Sequence, residues 1–89
     1  MAYVSSLLTK DASGILLFDG YELKTKAKEN ALVSAVGKLQ PGEILRLFID
    51  HNPFDLIRTI AIRYGSKLIF QYLHNREGAV VIDFKMIRK

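Results

Sequence analysis

The sequence predicts an α+β domain, a two-layer sandwich in which two helices cover one face of a mixed four-stranded sheet. The predicted order is strand-helix-strand-helix-strand-strand. Three observations carry this. Two short apolar runs, residues 15–18 and 44–49, have the length and composition of buried strands. Each run is followed by a segment whose apolar residues recur at helical spacing. The last third of the chain then reads as two β-rich stretches, 67–74 and 79–87, around a four-residue loop at 75–78. Right-handed crossovers between parallel strands place both helices on the same side of the sheet.

Residues 1–13 carry Tyr3, Val4, Leu7 and Leu8 ahead of the turn signal Asp11-Ala12-Ser13-Gly14. They read as an arm or as a short extra edge strand that hairpins onto the domain of residues 14–89. Ile15-Leu16-Leu17-Phe18, closed by Asp19-Gly20, is the first core strand. In the helix that follows, Ala27, Ala31, Leu32, Ala35, Val36 and Leu39 form one stripe. Thr25 is the expected N-cap, because its hydroxyl can accept an orphan amide of the first turn. Glu29 lies in the first turns, where negative charge complements the helix dipole. Pro41 drives Gln40 out of helical angles and ends the element.

The second strand, 44–49, is apolar except at Arg46. After Asp50 and His51, Asn52 is the expected cap of the second helix. Pro53 suits its first position, where the missing amide hydrogen costs nothing, and Asp55 its third. Leu56, Ile57, Ile60, Ala61 and Tyr64 make the second stripe, and Gly65 suits the residue beyond its end. In the last strand Val80, Ile82 and Phe84 alternate with Val81, Asp83 and Lys85, the pattern of a half-solvated strand. The far face of the sheet is then left to solvent, to the arm or to a partner.

The chain has 89 residues and is 49% hydrophobic, enough for one domain with its own core. It has no cysteine, which excludes disulfides, thiolate metal sites, thiol catalysis and persulfide chemistry. No apolar run approaches the roughly 18 residues of a membrane span. The first residues lack the positive region of a secretory signal. The expectation is a cytoplasmic protein without a membrane role. Thirteen basic against nine acidic side chains give a net charge of +4, which permits an anionic partner without requiring one.

Phe18-Asp19-Gly20-Tyr21-Glu22-Leu23-Lys24-Thr25, then a helix, then Leu39-Gln40-Pro41-Gly42-Glu43-Ile44-Leu45, resembles the TusA/SirA-like family of small sulfur-carrier proteins. That family runs from a strand through a Leu-(basic)-Cys-Pro-x-Pro motif into its first helix, and a Pro-Gly-Glu turn leads to its second strand. In a gap-free register from Phe18 to Glu43, Thr25 falls where the family has its sulfur-accepting cysteine. Lys26 and Lys28 fall where it has the two prolines. A threonine hydroxyl cannot carry a persulfide, so sulfur transfer is not implied. Asp50-His51-Asn52-Pro53 is similar to the Asp-His-(Asp/Asn)-Pro stretch of an uncharacterised, Cys-less branch of TusA-like domains. The resemblance covers residues 15–89 and implies a sulfur-carrier-like fold without its chemistry.

Parallel first and second strands bring both helix N-termini to one end of the sheet. The segment 23–28 and the turn at Asp50, His51 and Asn52 should therefore be neighbours, at the end where open α/β sheets bind ligands. Lys24, Thr25, Lys26, Lys28, Asp50, His51 and Asn52 form the candidate anion or partner site, with helix amides and dipole ends behind them. The plainer reading is solvated lysines and ordinary caps. His51 is of a residue type that serves as a general base or metal ligand. However, one histidine and one carboxylate are a thin ligand set, and His74 is expected on a distant strand. Thr25 as a nucleophile would need an adjacent base, and none is signalled. No catalytic residue, metal or cofactor is expected.

The leading expectation is a non-catalytic binding or adaptor domain that docks on a protein partner. The resemblance suggests sulfur or redox metabolism as its setting, and a homodimer is a further expectation. The alternative is a nucleic-acid-binding protein of Alba-like topology using a basic face, whose affinity would fall steeply with salt. A third class is a small hydrolase or metal-dependent enzyme built on Asp50 and His51. No aromatic side chain is spaced among the basic residues as a base-stacking platform. Tyr64, Phe70, Tyr72 and Phe84 read as core or half-buried sheet positions. Were Phe70 and Tyr72 on the open sheet face, the resulting apolar patch would favour self-association.

Overall fold

The structure is a computed structural model that describes residues 8–21 and 25–89. Lys24 and the first seven residues of the expected arm lie outside the described residues. The elements run β1 (Leu8–Lys10), β2 (Leu16–Asp19), α1 (Lys26–Gly37), β3 (Ile44–Ile49), α2 (Phe54–Tyr64), β4 (Leu68–Arg76) and β5 (Ala79–Met86). They form a five-stranded mixed sheet in the order β1-β2-β3-β5-β4. Strands β2 and β3 are parallel, and every other neighbouring pair is antiparallel.

The sheet thus has one strand more than the four expected. The extra one is β1, the edge-strand alternative read for residues 1–13, which pairs from Leu8 opposite Phe18 to Lys10 opposite Leu16. Its turn is tied by the Asp11 carboxylate, which accepts from the Ser13 amide at 2.9 Å, the Ser13 hydroxyl at 2.7 Å and the Ile15 amide at 3.0 Å. The Ser13 hydroxyl bond is the leading reason that the Asp11 carboxyl titrates below its ordinary range.

Alternation along the strands sorts the two faces of the sheet. One face carries Phe18, Leu45, Leu47, Ile49, Val80, Ile82, Phe84 and Met86, all buried. Against it pack Leu32, Val33 and Val36 of α1, Leu39 beyond its end, and Ile57 and Ile60 of α2. Both helices therefore cover the same face. The other face carries Leu17, Arg46, Phe48, Val81 and Asp83, each half-buried. Arg46 and Asp83 stand directly opposite in the β3–β5 register. Arg46 Nε donates to Asp83 Oδ1 at 2.7 Å and Nη2 to Oδ2 at 3.0 Å, a two-pronged ion pair near the middle of the sheet. The carboxylate raises the guanidinium above its already high pKa.

The buried stripe of α1 differs from the predicted one. Ala27 and Ala31 are exposed, and Val33, which was not counted, is buried. Burying a methyl yields little compared with a Leu or Val side chain, so Leu32, Val33 and Val36 choose the face. The helix stops at Gly37, four residues before Pro41. A Cβ at Gly37 would overlap the hydroxyl oxygen of Tyr64. That hydroxyl donates to the Val33 carbonyl at 2.6 Å and ties the C-terminal ends of α1 and α2 together.

The second helix begins at Phe54 with Pro53 in the cap position, and no side chain caps it. Asn52 is not the cap, because its Oδ1 accepts from the Tyr72 hydroxyl of β4 instead. The last hairpin also differs. Strand β4 runs on to Arg76, past the predicted end at His74, and the turn shrinks to Glu77 and Gly78, with Gly78 at φ +86°. An irregularity between Tyr72 and His74 inserts Leu73 and resets the register against β5. Ahead of it, Phe70 pairs with Phe84 and Tyr72 with Ile82. Both aromatics thus lie on the helix side of the sheet, not on its open face.

Candidate functional site

The parallel pair β2–β3 sends both following helices out from the same end of the sheet. At that end Thr25, extended at φ −131° and ψ 156°, caps α1, its hydroxyl accepting from the Lys28 amide at 3.2 Å. This is the predicted cap, and it leaves the hydroxyl engaged with backbone. Lys26 is exposed and lies 3.7 Å from Glu29, one helical turn along. Lys28 is half-buried.

Across from α1, the turn after β3 presents Asp50, His51 and Asn52. His51 Nδ1 donates to the Asp50 carboxylate at 2.7 Å, both side chains being well exposed. The Asp50 carbonyl accepts from Gly78 at 2.9 Å, so the tip of the β4–β5 hairpin closes against this turn. Asn52 is held from the side by Tyr72.

Between the two helix starts lies a groove of about 270 Å³, lined by Glu29, His51, Asn52, Phe54, Asp55 and Leu56 among others. A smaller recess of about 110 Å³ continues between the helices. It shares Glu29, Asp55 and Leu56 and adds Lys26, Asn30 and Thr59. The structure therefore gathers His51 and Asn52 on the main groove and Lys26 on its extension. Thr25, Lys28 and Asp50 do not line either cavity, and Lys24 lies outside the described residues.

Among the groove residues absent from the predicted set, Glu29, Asp55 and Phe54 matter most. The two carboxylates sit in the first turns of α1 and α2, where each complements its own helix dipole. The fold brings them to one cavity, so its wall carries negative charge in a chain of net charge +4. Phe54 is 71% exposed, and Ile62, two turns along α2, is 75% exposed. With Arg58 between them they form an i, i+4, i+8 ridge on the outer side of α2. The sequence carried a signal for this ridge, since Phe54 and Ile62 are large apolar residues that fall off the predicted stripe of α2.

Residues 18–86 match the family described as "Uncharacterized conserved protein (DUF2249)". The chain belongs to that family. The DUF2249 match begins within β2 and runs to the end of β5, and so takes in both helix starts, the Asp50–Asn52 turn and the groove, while β1 lies before it. No curated protein and no solved structure matches the chain. Among the described residues of this DUF2249 domain, no three His, Cys, Asp or Glu side chains gather as a metal site would require. No helix among them is long and apolar enough to cross a membrane.

Proposed function

We propose that this DUF2249 domain is a non-catalytic binding module that docks on a protein partner through the groove between its helix starts and the adjoining ridge of α2. One observation carries the reading: Phe54 and Ile62, at 71% and 75% exposure, flank Arg58 on a ridge that begins at the groove. Large apolar side chains held in water on a helix are the usual anchors of a protein interface. The groove wall supports a protein over a polyanion, because Glu29 and Asp55 line it and would repel phosphate. The carboxylates favour a partner that presents a basic side chain beside an apolar one.

The TusA/SirA resemblance supplies the setting for this reading. Thr25 occupies the position of the family's sulfur-accepting cysteine, and its hydroxyl serves as a helix cap. The proposed module keeps a carrier's docking end without its chemistry and works in the cytoplasm, in sulfur or redox metabolism.

The test is in-cell photo-crosslinking with a benzophenone amino acid at position 54. A protein adduct of defined mass is expected, lost on Ile62→Ser and weakened by Glu29→Lys. In parallel, the labelled protein is titrated with duplex and single-stranded oligonucleotides at low and moderate salt. Salt-sensitive amide shifts at Lys26, Lys28 and Asp50, with no protein adduct, would reject the adaptor reading in favour of nucleic-acid binding.

A further inference from the structure

The two edges of the sheet are unequal. One is β1, described over Leu8–Lys10 and ending in Lys10, a charge of the kind that discourages further pairing. The other is β4, nine residues long and paired only with β5 among the described strands. Its stretch 68–72, Leu-Ile-Phe-Gln-Tyr, contains no charged residue and no proline. Ile69 is 51% and Phe70 43% exposed there. The register against β5 shifts after Tyr72, so residues 68–72 are the regular part of this edge.

The direction of the free backbone groups follows from one bond. The Ile87 amide donates to the Lys67 carbonyl at 2.8 Å, so Lys67 faces β5. In an antiparallel ladder, N–H and C=O of alternate residues face alternate sides. Ile69 and Gln71 therefore also bond towards β5, while Leu68, Phe70 and Tyr72 direct theirs outwards.

We infer that a second copy of this chain pairs along this edge, antiparallel about a two-fold axis at Phe70. In that register Phe70 faces its symmetry mate, Leu68 faces Tyr72 of the second copy, and each such pair exchanges two backbone bonds. On the helix side the facing residues are aromatic or apolar, a favourable cross-strand combination. On the open side Ile69 faces Gln71. No charged residue lies within 68–72, so no like charges meet in this register. This self-complementarity is the argument for a second copy over a foreign strand: the partner sequence the edge requires is its own. A pairing confined to five residues of each edge is a small contact, so the association is expected to be reversible and to depend on concentration. The inference is independent of the groove and its partner.

The test is sedimentation equilibrium from about 5 µM to about 500 µM, with amide exchange at both ends of the range. The expected result is a monomer–dimer equilibrium in which the amides of Leu68, Phe70 and Tyr72 gain protection with concentration while those of Ile69 and Gln71 do not change. Phe70→Lys is expected to stay monomeric throughout, as is Phe70→Glu, and an equimolar mixture of the two to recover the dimer. A wild-type chain that stays monomeric to the top of the range would overturn the proposal. So would a dimer that survives both substitutions, or one that protects Phe54 and Ile62 instead. Should either variant fail to fold, the alternating protection pattern of the wild-type chain decides alone.

Discussion

Replacing Gly37 by alanine tests the clasp between the two helices, and its sign is not obvious. Alanine is the better helix former by about 1 kcal/mol in a helix interior, somewhat less at a last helical residue. Gly37 does not have positive φ, so the backbone accepts alanine without strain. Opposing this, the new Cβ would overlap the Tyr64 hydroxyl oxygen, with Cζ and Cε1 behind it at 3.1 and 3.2 Å. The ring must move, and the bond from its hydroxyl to the Val33 carbonyl is lost. That bond is worth about 1 kcal/mol, and forcing extra volume into a packed contact costs about 1–3 kcal/mol. The two costs exceed the gain, so Gly37→Ala is expected to destabilise by about 1–3 kcal/mol.

Tyr64→Phe alone should cost about 1 kcal/mol for the lost hydrogen bond. In that background the overlapping oxygen is gone, and the remaining contacts at 3.1 and 3.2 Å need only a small shift. Gly37→Ala should then be close to neutral, a coupling of about 1–3 kcal/mol between the two sites. Urea unfolding of the four proteins, followed by far-ultraviolet circular dichroism, measures the cycle through midpoints at constant slope. Alanine that stabilises the wild-type chain, or that costs the same in both backgrounds, would refute the steric argument.

The Arg46–Asp83 pair leads to a second expectation. Arg46→Leu should cost about 1–3 kcal/mol by stranding a half-buried carboxylate, whereas Arg46→Leu with Asp83→Leu should cost less than the single change. Thermal melting of both variants checks this, and a double variant less stable than the single one would contradict it. A third concerns acid. The Asp11 carboxyl is lowered in the folded chain, so its contribution is present above the ordinary carboxylate pKa and fades as pH falls through the lower folded value. The amide shifts of Ser13 and Ile15 should report a midpoint below that of an unstructured aspartate, and Asp11→Asn should abolish the titration. A midpoint at the ordinary value would show the turn to be open in solution.

The order of elements was legible because each signal was local. Gly14 and Asp19 bound a short apolar run, Thr25 stands one turn ahead of Glu29, and the alternation of Val80, Ile82 and Phe84 against Val81 and Asp83 is a strand written out. The errors arose where distant residues decide. Asn52 has the chemistry of a cap, but the Tyr72 phenol, far along the chain, takes its oxygen. Ala27 and Ala31 sit at stripe spacing, but their burial is worth too little to turn the helix. Leu73 looks like any strand residue, and only pairing with β5 makes it the inserted one.

The candidate site divides in the same way. The approach of the two helix starts followed from topology; of the residues expected there, His51, Asn52 and Lys26 line the groove or its extension, while Thr25, Lys28 and Asp50 do not. Its charge was not legible. Glu29 and Asp55 each read as a partner of its own helix dipole, and nothing in the linear order says that both line the same groove. Phe54 and Ile62 were legible only as residues that did not fit the α2 stripe.

The position of β5 bears on how the chain is completed during synthesis. Between β3 and β4 in the sheet stands the strand that leaves the ribosome after both. While translation proceeds, β2, α1, β3 and α2 can assemble, but β3 keeps one side unpaired and Leu45, Leu47 and Ile49 keep an incomplete floor. Strand β4 has no place to dock until residues 79–86 arrive. The hairpin must then insert as a unit, with the Arg46–Asp83 pair marking the register in which the final strand belongs. The central seam of the sheet therefore closes only when this last strand is in place between β3 and β4.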